Sequence, residues 1–320
     1  MEKLKDLIKG PDLIVAPVAL NPIMAQMAAL AGFKAAYLSG GSLGWYKGVT
    51  EAGLSLTEMI QVVVDIRTVC KIPVVLDAGG GWGDPVHIHR TVTMSEAAGV
   101  ECVEIEDQLL PRRVEHHIGI DNLVPLKLAA DRIREAVAAR TDPNLVIVGR
   151  TNAVRVEGMD DALRRAEAMK KAGADMLFLW GRKPEEMRFI AERLPAPLMT
   201  FAPPDGFSTF PISKAETAKL GYRLARLVGH RLRRDGEGGA AVLRVPGIRL
   251  NGPLPRPRRR REGDESRAPH HRPRPADRDR AADDEGSVSG GIWPVLRQLA
   301  VLIPPPISTT LPPTISEEDR

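Results

Sequence analysis

The chain has 320 residues, enough for one barrel-sized domain with a substantial core, and carries 45 Lys and Arg against 41 Asp and Glu, a net charge of +4. That excess is local: through Leu224 there are 27 basic residues against 28 acids, and the remainder holds 18 Arg, no Lys and 13 acids, so the first part is near neutral and the tail carries the basicity. Two cysteines, Cys70 and Cys102, both in apolar runs, exclude a disulfide framework and fit a reducing, cytoplasmic setting; Met1-Glu2-Lys3-Leu4 opens no signal-peptide pattern, and no apolar run is long enough to span a bilayer.

In chain order, Glu2 to Lys9 reads as a short helix and Asp12 to Pro17 as a first strand; Asn21-Pro22 opens a helix that Gly32 closes. Lys34 to Leu38 is a second strand ending in the glycine-rich turn Ser39-Gly40-Gly41-Ser42, followed by a long loop through Trp45 and Glu51 and a helix over Ser55 to Val69. The third strand, Pro73 to Leu76, stops at Asp77 and a run of glycines; Asp84-Pro85 starts a helix to Ala98, and Val100 to Ile105 is the fourth strand. A helix within Asn122 to Arg140 precedes a fifth strand, Leu145 to Val148, that ends at Gly149-Arg150-Thr151-Asn152. Asp160 to Ala172, Asp175 to Trp180, Pro184 to Leu194 and Pro197 to Phe201 continue the alternation, and an eighth unit begins near Gly221-Tyr222. Strand and helix alternating about every thirty residues predict parallel βα units, and seven units with an eighth begun predict an α/β fold of the (β/α)₈ barrel type, with its eighth unit incomplete. The active site of such a barrel lies at the carboxyl ends of its strands, where Ser39, Asp77, Glu106 and Arg150 all fall.

Three acids stand out. Asp77 sits at a strand tip beside a backbone free to bend, and Glu104 and Glu106, two apart on one strand, share a face. Carboxylates gathered in this way need a neutralising cation, and an all-oxygen set suits Mg²⁺, with Mn²⁺ as an alternative. They would serve equally as helix caps or as partners of Arg112 and Arg113. His87 and His89 do not share a helix face and read as structural.

Four pieces in order, SGG after the second strand, DAGGGWG after the third, IEDQLLPRR after the fourth and GRTNA after the fifth, together resemble the isocitrate lyase and phosphoenolpyruvate mutase superfamily over about Leu4 to Leu224. The wording is similar to the 2-methylisocitrate lyase and carboxyphosphonoenolpyruvate phosphonomutase branch, which includes oxaloacetate decarboxylases. The resemblance implies a Mg²⁺-dependent enzyme that acts on a small 2-oxo or 2-hydroxy acid through an enolate-like intermediate. A C–C lyase or decarboxylase is the first expectation, a phosphonomutase the second and an inactive barrel or binding module the third. It assigns Ser39, Gly40 and Gly41 to the substrate carboxylate, Asp77 and Glu106 to the metal and its water shell, and Arg150 to the substrate oxyanion. Arg150 could instead be a structural partner of Glu106 or Asp107. The resemblance also implies a homo-oligomer that exchanges a terminal helix.

The chain departs from the family pattern at several positions. Gly79 replaces a second acid, for which Glu104 or Asp84 would substitute, and Val114 stands where the lyases carry a proton-donating cysteine, leaving His116 or His117 as the candidate donor on that loop. Those histidines could equally be bland exposed loop residues. Glu51 lies near an acidic position after the second strand, Asn152 replaces an acid after Arg-Thr, and Trp180 replaces a glutamate after the sixth strand. The barrel is therefore assigned to residues 1–224. Residues 225–320, rich in Arg, Pro and Gly, are assigned to a disordered tail whose composition break at Leu224 fits a shifted reading frame. The Arg runs of that tail could bind nucleic acid, but no aromatic residues interleave to stack on bases, which argues against such a partner.

Overall fold

The apolar runs become eight parallel strands in the computed structural model, which describes residues 2–113, 120–202, 207 and 212–227, and the backbone of 232–234 and 241–243. These belong to the compact unit Met1–Pro253; a second unit, Leu254–Arg320, lies outside the described residues. The strands are β1 (Ile14–Pro17), β2 (Ala36–Leu38), β3 (Val74–Asp77), β4 (Cys102–Glu106), β5 (Val146–Thr151), β6 (Met176–Leu179), β7 (Leu198–Ala202) and β8 (Tyr222–Leu227). The helices are α1 (Leu4–Leu7), α2 (Pro22–Leu30), α3 (Gly40–Lys47), α4 (Leu56–Val69), α5 (Pro85–Ala97), α6 (Leu126–Ala139), α7 (Met159–Lys171), α8 (Pro184–Arg193) and α9 (Lys214–Lys219). Their boundaries follow local chemistry: Asn21 caps α2 by accepting the Met24 amide, and Ser55 and Glu58 form a reciprocal capping box at the start of α4.

The sheet runs β1-β8-β7-β6-β5-β4-β3-β2. β8 pairs in parallel with β1 from Ile14 opposite Leu224 to Pro17 opposite Leu227, so the eighth strand is present and closes onto the first. The barrel reaches Leu227, three residues past the composition break. Its remaining seam lies between β1 and β2, where the described residues show one bridge, Val18 with Tyr37, and a hydrogen bond from the Ala19 amide to the Tyr37 carbonyl (3.0 Å). Two short strands, β9 (Leu232–Arg234) and β10 (Ala241–Leu243), pair antiparallel within the stretch expected to lack secondary structure. The expected terminal helix exchange and the rest of the tail fall outside the described residues, and no described helix is long and apolar enough to cross a membrane.

Strand periodicity sorts the side chains into two cores. One packs the helices against the outside of the sheet through residues such as Leu38, Leu76, Val103, Ile105, Ile147 and Leu177. The other fills the lumen: Tyr37, Val75, Cys102, Val146, Val148, Phe178, Met199 and Leu224, with Leu4, Leu7 and Ile8 in the same cluster from the amino terminus. Two residues further along the same strands the lumen turns polar, as Val75 gives way to Asp77, Cys102 to Glu104, Val148 to Arg150 and Leu224 to Arg226, and Glu106 follows Glu104 at the same period. The apolar floor thus holds a buried charged layer at the carboxyl ends of the strands.

Candidate active site

The charged layer brings together carboxylates and guanidiniums from four strands and two loops. Glu104 and Glu106, each about 1% exposed, both face Arg150. Arg150 Nη1 donates to Glu104 Oε1 at 2.7 Å, and its Nη2 donates to Asn152 Oδ1 at 3.2 Å and lies 3.3 Å from Glu106 Oε2. Asn152 in turn donates to Glu106 Oε2 (2.9 Å) and accepts from Trp180 Nε1 (2.8 Å). The two departures at 152 and 180 are therefore one hydrogen-bonded pair, in which neutral groups occupy positions expected to carry acids.

Arg112, on the loop after β4, donates to Glu51 Oε2 at 2.8 Å and bonds Glu106 Oε1 with its other terminal nitrogen. The alternative reading of the acids as arginine partners therefore describes Glu106 with Arg112. Burial, and next the Asp77 charge, push the Glu51 carboxyl up to about 7 against the pull of Arg112. Burial likewise raises Glu104 above the ordinary carboxylate range, opposed by Arg226 and Arg150. The Asp107 carboxylate, also expected as a possible Arg150 partner, instead accepts from the Thr151 hydroxyl (2.6 Å) and the Asn152 amide (3.0 Å), which fixes the end of β5.

Asp77 accepts from the Gly79 amide at 3.2 Å and stands 3.6 Å from Arg226 Nη1. Arg226 is a residue that reading the sequence assigned to the tail. It also contacts Glu104 Oε1 at 3.7 Å and donates to the Tyr37 hydroxyl, which donates to Glu104 Oε2 at 3.2 Å. The only signal for Arg226 was its place two residues beyond Leu224 on a lumen-facing strand. Tyr37 carried none beyond its place in an apolar run.

The glycine-rich stretch after β2 differs from the expected turn and long loop. Gly40 to Lys47 form α3, with the Ser39 hydroxyl capping it by accepting the Ser42 amide (3.2 Å), and a short turn of 3-10 helix follows at Glu51–Gly53. These glycines serve close packing: a Cβ on Gly40 would lie 2.6 Å from Glu51 Oε1, and one on Gly44 would lie 2.7 Å from the Glu51 amide nitrogen. Gly44→Ala should therefore destabilise the fold by about 1–3 kcal/mol, because overpacking against backbone outweighs a helix-propensity gain of about 1 kcal/mol. Denaturant unfolding checks this, and a stabilised variant would show that α3 does not depend on that contact. The amides of Gly40 and Gly41 still open a helix, a geometry suited to an anion.

A cavity of about 330 Å³ opens beside this layer, lined by the polar or charged Glu51, Asp77 and Arg112, by Gly40, and by the apolar Leu54, Trp82 and Leu110. Of the three expected metal ligands, Asp77 borders it, whereas Glu104 and Glu106 do not line it and are bonded to guanidiniums. Four carboxylates, Glu51, Asp77, Glu104 and Glu106, meet three guanidiniums, Arg112, Arg150 and Arg226, in this layer. Asp77, a carboxylate next to an open volume, fits a hard cation. No group of three or more metal-ligating side chains is preformed among the described residues, so such an ion would take most of its ligands from water and substrate. Of the proposed substitutes for the acid missing at Gly79, Glu104 is held by Arg150, and Asp84 caps α5. His87 completes that cap and His89 pairs with Glu135 (2.7 Å), both structural roles. Val114, His116 and His117 lie outside the described residues.

A sequence model of the phosphoenolpyruvate phosphomutase family matches residues 4–234. The chain is 33% identical over 225 residues to 2,3-dimethylmalate lyase of Eubacterium barkeri, covering 69% of this chain and 77% of that one. It is 35% identical over 223 residues to 2-methylisocitrate lyase of Aeropyrum pernix, covering 69% and 71%. The solved structure of a phosphoenolpyruvate phosphomutase from Streptomyces platensis superposes with a TM-score of 0.64 at 29% identity, covering 70% of this chain and 78% of that one.

Proposed function

The chain belongs to the phosphoenolpyruvate phosphomutase family, and from that membership we propose that it is a Mg²⁺-dependent lyase that cleaves a C–C bond in a small 2-hydroxy or 2-oxo acid. The observation that carries this reading is the carboxyl-end layer itself, in which Asp77 faces an open cavity while Arg150 is held by Glu104, Glu106 and Asn152. Asp77 would hold the cation, which when bound supplies a Lewis acid for the substrate's 2-oxygen and carboxylate.

The chain's own residues supply the rest. The amides of Gly40 and Gly41 at the start of α3, whose Ser42 amide is capped by the Ser39 hydroxyl, bind the substrate carboxylate. In a 2-hydroxy acid the 2-hydroxyl gives its proton to Glu51 and its oxygen becomes the carbonyl of a 2-oxo acid as the C2–C3 bond breaks; the electron pair of that bond stays on C3 and is delocalised as an enolate, and the Arg150 guanidinium stabilises the negative charge that gathers on its oxygen. A proton must then reach that carbon. Glu51, on the cavity wall and hydrogen-bonded to Arg112, is the described carboxyl placed to carry it.

The test is a panel of oxaloacetate, 2-methylisocitrate, dimethylmalate and phosphonopyruvate scored for pyruvate or another 2-oxo acid product, with Mg²⁺ and with a chelator. Turnover of a C–C substrate that stops in the chelator is expected. Turnover of phosphonopyruvate alone would make the chain a phosphonate enzyme, and silence on every substrate would leave an inactive barrel or a binding module.

A further inference from the structure

The reading above leaves Arg226 without a role, although it is the residue most deeply set into the charged layer from β8. Leu224, two residues earlier on the strand, belongs to the lumen core, so the period of the strand brings the Arg226 side chain into the same lumen one layer higher. The residue is about 5% exposed, and its guanidinium carbon lies 4.4 Å from the ring centroid of Phe201, 5.0 Å from that of Phe178 and 5.2 Å from that of Tyr37. Three aromatic rings thus hold a charge that cannot be discharged, since a guanidinium does not lose its proton in proteins. Its Nε is buried with no hydrogen-bond partner among the described residues, so the polar contacts fall on Nη1: the Tyr37 hydroxyl, Asp77 Oδ2 at 3.6 Å and Glu104 Oε1 at 3.7 Å. Asp77 is also the carboxylate that borders the cavity. A divalent ion bound there would share its principal ligand with a fixed positive charge on the lumen side, and like charges around one carboxylate weaken each other's hold.

We propose that Arg226 is a positioning residue that sets the affinity of this site for a divalent cation, acting as an internal countercation on Asp77 and Glu104 with which the metal must compete. The inference rests on the Mg²⁺ reading given above. It places the control of metal affinity on β8, 3.6 Å from the carboxylate that borders the cavity. Removing the charge while keeping the apolar bulk among the rings leaves Asp77 and Glu104 short of one positive partner, and a divalent ion gains what the guanidinium gave up.

The experiment measures Mn²⁺ binding to the full chain without substrate, by the electron paramagnetic resonance signal of free Mn²⁺, in the unsubstituted protein, in R226M and in R226K. R226M should bind Mn²⁺ at least about tenfold more tightly than the unsubstituted chain, and R226K, which keeps the charge, should stay close to it. Thermal unfolding with and without Mn²⁺ gives a second readout: the ion should raise the midpoint of R226M more than that of the unsubstituted chain. An R226M chain that folds only with Mn²⁺ supports the proposal as well. One that stays unfolded at every Mn²⁺ concentration overturns it, because the ion then fails to replace the guanidinium. Equal or weaker Mn²⁺ binding by folded R226M overturns the proposal and leaves the metal reading intact. Absence of binding in all three chains removes the metal reading and the proposal with it.

Discussion

Replacing Arg150 with Lys is expected to lower kcat/KM at least about a hundredfold and to destabilise the fold by about 2–3 kcal/mol. The guanidinium makes separate contacts with Glu104, Asn152 and Glu106, using both terminal nitrogens. An ammonium keeps the charge but offers a single point, so at least one carboxylate, itself buried, loses its partner. The oxyanion of the proposed intermediate loses a forked donor at the same time. Steady-state kinetics and denaturant unfolding read the two effects separately. A Lys variant with unchanged kinetics and reduced stability would make Arg150 a purely structural partner of the two glutamates.

Asp77→Asn should remove Mg²⁺-dependent turnover by about a thousandfold or more, with the melting temperature moved by only a few degrees. The amide preserves shape and can still accept the Gly79 amide, and Arg226 keeps its contacts with Glu104 and Tyr37, so little packing is lost. What disappears is the negative charge at the one proposed ligand of the original three that borders the cavity. A Mg²⁺ titration of the variant decides it: full activity at limiting Mg²⁺ would move the cation away from Asp77.

The barrel was legible because its strands announce themselves twice, by a short apolar run and by the polar residue that ends it, and because the spacing repeats. Glu104 and Glu106 could be put on one face from the period of two alone, and the structure has them both on Arg150. Pairing was harder to read. Arg150 meets Glu104 across 46 positions of sequence and Arg226 meets Tyr37 across 189, distances set by barrel closure and invisible to any local pattern. Gly40, Gly41 and Gly44 misled for a different reason: glycine signals a turn when the backbone needs freedom, but here it makes room for Glu51 and the chain around it. Arg226 was hidden by its neighbours, since one buried arginine looks like any other in a stretch with 18 of them.

The seam between β1 and β2 makes the wall of this barrel a rolled ribbon whose ends, among the described residues, meet at a single rung. Backbone pairing alone would leave those ends free to part. Tyr37, on one end, reaches inward to Glu104 and to Arg226, and Arg226 belongs to the strand that is laddered to the other end. The charged layer is therefore also a clasp fastened from the inside, running from β2 through a tyrosine and an arginine to β8 and so to β1. The charge balance of the site and the closure of the wall share the same side chains, so a substitution at Glu104 or Arg226 also removes one link of that clasp.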